Sequence, residues 1–298
     1  MTLLLLFGAL GLMLLPALGW KVGSRLPPDE WVRFCTIAVL GGAVILEIAL
    51  VLCAVPALAR LPGVGSWFGS HHERHFFPGG TPVGWLSLVG AVYFPVGGLK
   101  GWLRARRQQA SSWVEPGLGR HLAREGFELV VLPTSEIVAI AVPGPPPQVV
   151  ISNGLLGALT TDEVRVVVDH EAAHLRSRHS RYLLFAEALC QAFWVFPPIR
   201  RSVATLRVAL ECSADQAAAG SAGDRRAIRG ALRSLTETGA QVGVPAFAMS
   251  NTVLARLEVL ENVAADHAPG RLRFGMYVGL VGLALLSVFT VVLWLQAA

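Results

Sequence analysis

Two histidines and a glutamate stand in the order His-Glu-Ala-Ala-His, and their spacing points to metal chemistry. Residues four apart lie on one face of an α-helix, so the imidazoles of His170 and His174 can bind a single Zn²⁺ ion. Glu171 lies about 100° around the helix from His170, beside the metal, where its carboxylate can accept a proton from a zinc-bound water. The pattern predicts a metal-dependent hydrolase with Glu171 as its general base.

A catalytic zinc ion needs a third protein ligand, with the fourth position left for water. Our candidate is Glu211, in the string Glu-Cys-Ser-Ala-Asp. Asp215 lies four residues later on the same helical face, where it can accept a hydrogen bond from a ligand histidine and set its tautomer. Two acids on one face of so apolar a stretch require cations nearby. The sequence does not identify the group that stabilises the oxyanion, and His179, Arg207 and His267 are its candidates.

The elements around the motif follow an α+β pattern. Short β-branched runs at 127–132, 137–142 and 149–152 precede a helical pattern that continues to the end of the domain. Thr160 and Glu163 have the spacing of a capping box, which predicts that the motif helix begins there.

A substrate-binding strand is expected just before the motif helix. Prolines at 143–147 place the neighbouring strand at an edge or a turn, because proline cannot donate to a sheet ladder. We therefore predict that Val150, Ser152 and Asn153 lie along an edge strand and bind an extended peptide by β-augmentation.

The chain around this domain has the composition of a membrane protein. Of its 298 residues, 53% are hydrophobic and 15% are charged, and its mean hydropathy is +0.55. This composition excludes a disordered chain, and 4 scattered cysteines exclude a disulfide scaffold. A transmembrane helix needs roughly 20 apolar residues. Four stretches meet that length: 2–20, 34–59, 76–99 and 274–295.

Lysines and arginines orient these spans. Basic residues crowd 100–107, after the third span, and 271–273, before the fourth, so the positive-inside rule places the segment between them in the cytoplasm. Both termini are then outside the cell. The net charge of +5 is a topology signal, and we expect no direct nucleic-acid binding. The predicted units are 1–99 with three transmembrane helices, 100–273 as the cytoplasmic domain and 274–298 with the fourth transmembrane helix.

Three features of the membrane part have alternatives. The first span has its basic residues after it, which favours a retained helix over a cleaved signal peptide. Glu47 lies inside the second span, either hydrogen-bonded to a neighbour or serving a function. The string His-His-Glu-Arg-His at 71–75 is interpreted as a solvated loop, with an external metal or pH sensor as the alternative.

The motifs resemble one family. HEAAH, the later ECSAD, the string AFWVFPPI between them and the order of spans look like the BlaR/MecR-type membrane metallopeptidases. QVVISNGLLGALTTDEVRVVVDHEAAH resembles that family's edge strand, turn and active-site helix, and NTVLARLEVLE resembles its closing helix. The resemblance implies an α-helical membrane protein with four transmembrane helices and a cytoplasmic α+β zincin-like (gluzincin) domain. It also implies site roles: one catalytic Zn²⁺ held by His170, His174 and Glu211, Glu171 as acid/base, and Asp215 as support.

The resemblance further implies a zinc metalloendopeptidase at the cytoplasmic face of the plasma membrane. Its substrate would be a protein or peptide, either a DNA-binding repressor or the chain itself. The sequence ends after the fourth predicted span, where the best-known members carry a penicillin-binding sensor, so we do not expect direct β-lactam sensing. The lipid bilayer is the other expected partner. An HtpX-type quality-control protease, a non-catalytic zinc-dependent signalling receptor and a homodimeric state remain open.

Overall fold

The computed structural model describes residues 2–19, 23, 25–61, 80–115, 117–237 and 249–262, together with the isolated glycines at 275, 279 and 282. Long apolar helices come first, then a small sheet, then further helices. In the part that follows the long helices, strands precede helices, as predicted for an α+β domain. The helices before the sheet are α1 (Thr2–Leu18), α2 (Pro28–Leu58) and α3 (Gly80–Ser111). The strands are β1 (Arg120–Arg124), β2 (Phe127–Leu132), β3 (Ala139–Val142) and β4 (Gln148–Ser152). The later helices are α4 (Asn153–Ala158), α5 (Thr161–Arg176), α6 (His179–Ala192), α7 (Pro197–Ala218), α8 (Ala222–Glu237) and α9 (Met249–Asn262).

Two helices in the described part are long and apolar enough to cross a membrane. They contain Pro28–Val55 in α2 and Pro82–Ser111 in α3, with mean hydropathies of 2.6 and 1.4. The second and third predicted spans fall on these helices, although α3 continues past the predicted span into the basic stretch. The apolar part of α1, Leu5–Leu18, is shorter. The fourth predicted span, the 71–75 string and His267 lie outside the described residues.

The sheet has the strand order β1-β2-β4-β3. β1 and β2 form an antiparallel hairpin, and Gly126 in its turn has a φ of 82°, a left-handed conformation that glycine adopts without strain. β2 pairs with β4 in parallel, and β3 pairs with β4 antiparallel. β3 therefore forms one edge of the sheet, although it precedes β4 in the chain.

Our placement of the 149–152 strand at an edge is wrong. β4 pairs on both sides, and Val150 and Ser152 are buried with exposures of 1% and 0%. All five residues of β4 are buried, as expected for a strand with neighbours on both sides and elements on both faces. The prolines at 143–147 lie in the connection between β3 and β4, so they shape the turn and leave β4 free to pair.

The two faces of the sheet bury different layers. Leu129 and Ile151 face α5, where they share a cluster with Ala172. Val130 and Val150, one position along each strand, pack on the opposite face with Trp113. This alternation follows from the two-residue period of a strand. The sheet consequently holds α5 against one face and presents its β3 edge to the same helix.

The long N-terminal helices share cores with the later ones. Trp31 and Cys35 of α2 are buried in one cluster with Leu206 and Leu210 of α7. α3 packs along α6, and Gly101 marks the closest approach, because an added Cβ there would lie 2.7 Å from the Gln191 side chain and 2.9 Å from the Glu187 carbonyl oxygen. The helices around the sheet are therefore packed onto the candidate membrane helices.

Candidate metal centre

The motif lies in the last turns of α5, and the start of this helix is capped as predicted. The Thr160 hydroxyl accepts from the Glu163 amide at 3.4 Å, while the Glu163 carboxylate accepts from the Thr160 amide at 2.9 Å. This reciprocal capping box satisfies backbone donors that would otherwise have no partner. The helix packs its apolar face on the sheet and on α8, and His170 and Glu171 are buried with exposures of 8% and 7%.

α7 completes a three-ligand cluster. The Nε2 atoms of His170 and His174 lie 3.1 Å apart. Carboxylate oxygens of Glu211 lie 3.4 Å from His170 Nε2 and 3.6 Å from His174 Nε2. Ligands bound at about 2.1 Å in tetrahedral geometry lie about 3.4 Å from one another. The three groups thus have the spacing of three corners of a tetrahedron, and they could hold a metal ion.

Asp215 and Arg256 contact the candidate ligands and support this cluster. Asp215 Oδ1 lies 2.9 Å from His170 Nδ1, and the Asp215 side chain is 1% exposed. The Arg256 guanidinium donates to both Asp215 oxygens at 2.7 Å and lies 3.3 Å from Glu211 Oε2. Arg256 is the cation that two buried acids on one face of α7 require. The sequence showed that need but did not identify the residue, although Arg256 stands within the string that resembles a closing helix.

The charges of the cluster determine its protonation. Burial disfavours ionisation of the Glu211 and Asp215 carboxyls, but His170 and Arg256 outweigh it and hold both pKa values below their ordinary range. Burial also disfavours charge on His170, yet its contacts with Asp215 and Glu211 raise its pKa to about 10. Burial lowers the pKa of His174 to about 3, so this imidazole is neutral at physiological pH.

Glu171 lies beside the cluster, facing a cavity. Burial raises the pKa of its carboxyl to about 7, and the backbone amide of Ala141 opposes this rise by donating a hydrogen bond to it. The cavity has a volume of about 230 Å³ and opens between α5 and β3. Its polar lining holds the three candidate ligands, Glu171, Asp215 and Arg256, and its apolar lining includes Leu175, Leu183, Leu232, Leu235 and Val253.

The β3 edge faces this cavity. The Ser152 amide donates to the Val138 carbonyl at 3.1 Å, and Ile140 lies opposite Val150 in the ladder. In an antiparallel pair, alternate residues direct their backbone groups to the neighbouring strand. The groups of Ala139 and Ala141 therefore point away from β4, in agreement with the Ala141–Glu171 contact.

The predicted substrate-binding residues lie elsewhere. The Ser152 hydroxyl donates to the Glu136 carbonyl at 2.6 Å and accepts from the Leu155 amide at 3.1 Å, so it caps α4. Val150 is buried on the far face of the sheet, and exposed Asn153 begins α4, outside the metal-site cavity. Their assignment depended on an edge position that β3 occupies instead.

Neither of the two described oxyanion candidates, His179 and Arg207, lines the cavity. His179 lies behind His174, with their Nδ1 atoms 2.9 Å apart. Arg207 pairs with Glu187 at 3.0 Å. Among the described residues, Arg256 is the arginine that lines the cavity beside the ligands.

Residues 106–204 match the family model of Peptidase family M48. The match begins in α3, covers the sheet and the whole of HEAAH, and ends in α7 before Glu211. It is consistent with the BlaR/MecR type of zinc metallopeptidase that the motifs resemble and equally with the alternative HtpX type, and it indicates a metallopeptidase that hydrolyses peptide bonds. No curated protein and no solved structure matches the chain.

Proposed function

We propose that this chain is an integral-membrane zinc metalloendopeptidase that hydrolyses peptide bonds at the cytoplasmic face. The observation that carries the proposal is the tetrahedral spacing of His170, His174 and Glu211 beside Glu171, in a segment matched by Peptidase family M48. Two nitrogens and one carboxylate are a common ligand set for catalytic zinc. Zinc, when bound, supplies Lewis-acid chemistry, polarising the scissile carbonyl and lowering the pKa of a coordinated water.

Glu171 is the proton carrier in this proposal. Its carboxylate accepts the proton of the attacking water and delivers it to the leaving amine. A pKa near 7 suits both steps, because a general base works best when its pKa lies close to the operating pH. The Ala141 amide holds the carboxylate on the β3 side of the cavity. Asp215, itself held by Arg256, keeps the His170 Nδ1 proton in place and so presents Nε2 to the metal.

The substrate backbone is proposed to pair with β3. The outward carbonyl of the half-buried Ala141 offers an extended peptide an acceptor next to Glu171. The apolar lining of the same cavity, including Leu183, Leu232 and Val253, suits an apolar substrate side chain.

The membrane part of the proposal has structural support beyond the lengths of α2 and α3. Leu86, Val89 and Val92 of α3 are 73%, 64% and 57% exposed, an apolar surface that suits lipid better than water. The turn between α6 and α7 extends this surface with Trp194 and Val195, which are 59% and 52% exposed. Four transmembrane helices, both termini outside and a cytoplasmic domain complete the topology we propose from the distribution of basic residues.

The biological role is proposed to be regulatory, with a DNA-binding repressor or the chain itself as substrate. This role rests on the motif resemblance, and the family match is equally consistent with an HtpX-type protease. Comparison of the peptides released in cells that carry the wild type or Glu171→Gln would identify the substrate. Fragments of one repressor would support the regulatory role, whereas many damaged membrane proteins would support quality control.

Glu171→Gln tests the catalytic assignment. The variant keeps the size and hydrogen-bonding of the side chain but cannot accept the proton, so we expect it to bind zinc normally and to lose at least about 10²-fold in kcat. Peptide cleavage and zinc content of the purified full chain are the measurements. Glu125→Gln, in the exposed turn between β1 and β2, is the matched control and should be as active as the wild type. Full activity of Glu171→Gln would contradict the assignment.

A further inference from the structure

A row of polar side chains runs from the back of the metal cluster to the first turn of α2. His174 directs Nε2 toward the other ligands, and its Nδ1 lies 2.9 Å from Nδ1 of His179. On the other side of that ring, His179 Nε2 lies 3.5 Å from the Ser213 hydroxyl oxygen. Ser213 in turn donates a hydrogen bond to the carboxylate of Asp29. His179 and Ser213 are 3% and 4% exposed, so water has little access to the middle of this row, whereas Asp29 at its end is exposed.

The tautomers in this row are mutually consistent with a metal on His174. An imidazole that binds a metal through Nε2 carries its proton on Nδ1. His174 then donates to His179 Nδ1, which requires that His179 carry its proton on Nε2 and direct it at Ser213. The Ser213 oxygen accepts this proton and keeps its own hydrogen for Asp29. The row ends on the Asp29 carboxylate, which accepts the Ser213 hydrogen bond.

The two ligand histidines therefore depend on different parts of the chain. His170 is supported by Asp215 and Arg256, which come from α7 and α9. His174 is supported through a row that ends on α2, outside the 106–204 segment that matches the peptidase family. The shared core of α2 and α7 around Trp31 and Leu210 holds Asp29 opposite Ser213.

We propose that His179, Ser213 and Asp29 are positioning residues for the metal ligand His174, so that the first turn of a candidate membrane helix completes the metal site. This inference rests on the metal centre of the proposed function. A displacement of α2 along α7 would separate Asp29 from Ser213 and loosen the support of one ligand. The affinity for zinc thereby depends on how the membrane helix is seated.

Substitutions at Asp29 test the proposal in the full chain, purified in detergent. Zinc affinity is measured by competition with a chromophoric chelator. Asp29→Ala removes the acceptor at the end of the row. Because His179 and Ser213 separate Asp29 from the ligand, we expect this variant to bind zinc about threefold to tenfold more weakly, less than the loss typical of groups that contact a ligand directly. Asp29→Asn keeps an oxygen that accepts from Ser213, so its loss should be smaller. Asp224→Ala, which removes a carboxylate from a surface pair with Arg165, is the control and should bind zinc like the wild type.

A spectroscopic readout separates support of the ligand from a general loss of packing. The visible spectrum of bound Co²⁺ reports ligand geometry, and Asp29→Ala should alter it while the far-ultraviolet circular dichroism stays unchanged. Ser213→Ala should alter the spectrum in the same way, and Ser213→Thr, which keeps the hydroxyl, should restore it. Equal zinc affinity and an unchanged cobalt spectrum in Asp29→Ala would overturn the proposal, as would equal losses for Asp29→Asn and Asp29→Ala. A wild-type chain that binds no zinc would overturn the metal centre itself.

Discussion

At the candidate metal centre the two histidines differ in charge, although they belong to one motif. His170 faces Asp215 and Glu211 and has a pKa of about 10, whereas His174 is buried against His179 and has a pKa of about 3. A metal ligand must offer a lone pair, so the proton on His170 has to leave when zinc binds. The neighbours of each imidazole, more than its place in the motif, determine whether it must lose a proton before it can bind zinc.

Zinc binding should consequently release a proton at neutral pH. His170 is protonated there, while His174 is already neutral and Glu211 is already ionised because its pKa is lowered. Since His170 has a raised pKa, its proton competes with zinc more strongly as the pH falls. We expect zinc affinity to rise about tenfold per pH unit between pH 6 and 8. Calorimetry in buffers of different ionisation enthalpy counts the protons, and a count of zero at pH 7 would contradict this charge assignment.

Arg256 should be a major contributor to stability as well as to the site. It binds both oxygens of Asp215, which is 1% exposed, and also lies 3.3 Å from Glu211, so Arg256→Met leaves two buried carboxylates without their shared arginine. We expect a loss of about 3–5 kcal/mol in the free energy of unfolding. Thermal unfolding followed by circular dichroism measures it.

A surface arginine provides the comparison for that loss. Arg229 lies 3.9 Å from Glu261 in a pair whose side chains are 36% and 66% exposed. Water screens such a pair, so Arg229→Met should cost no more than about 1 kcal/mol. Similar losses for the two variants would show that Arg256 does not act through the buried carboxylates.

Among the elements, β3 is the strand that faces the site. Its amides alternate between those that point toward the cavity and those that pair with β4, and single proline substitutions can test the two sets separately. The Ala141 amide points toward Glu171, so Ala141→Pro removes no hydrogen bond from the sheet. We expect this variant to fold and to bind zinc but to lose at least about tenfold in kcat/KM, since the hydrogen bond that holds the Glu171 carboxylate disappears. Cleavage kinetics and zinc content are the measurements.

Proline at the next position should act differently. The Ile140 amide points toward β4, and Ile140→Pro breaks the ladder itself. We expect that variant to unfold at a lower temperature than the wild type. If Ala141→Pro instead cleaved substrate normally, the Ala141 amide would not be needed to position Glu171.

For the molecule as a whole, the turn between α6 and α7 bears on its placement in a bilayer. Trp194 donates a hydrogen bond to the Tyr93 hydroxyl, and Phe193 stacks on Phe94 with ring centroids 4.6 Å apart. Tyr93 and Phe94 both lie on the apolar part of α3. If α3 spans the membrane, this turn lies at membrane depth beside it. The turn would then anchor α6 and α7, the helices that carry His179 and Glu211.

Fluorescence quenching by brominated lipid chains tests this placement. In vesicles, Trp194→Phe should remove a strongly quenched part of the tryptophan emission. Trp113→Phe, which changes a ring packed on the far face of the sheet, should not. Identical quenching of the wild type and Trp194→Phe would place the turn outside the hydrocarbon.

The residues that interact within one helix were predictable from the chain. HEAAH, its capping box and the Glu211–Asp215 spacing follow from the 3.6-residue period of a helix, a property that a short sequence carries locally. The apolar lengths of α2 and α3 are local in the same sense. These patterns were enough to predict a metal centre in a membrane-associated chain.

The contacts between distant segments could be identified only from the tertiary structure. Arg256 binds Asp215, Ser213 donates to Asp29, and β3 rather than β4 forms the edge of the sheet, yet no spacing in the chain predicts these contacts. They arise because apolar faces pack to exclude water, and that packing brings together polar groups from separate helices and strands. The local sequences of α5 and α7 determine the reactive groups of the candidate site, whereas tertiary packing decides which residues support each candidate ligand and which strand edge faces the cavity.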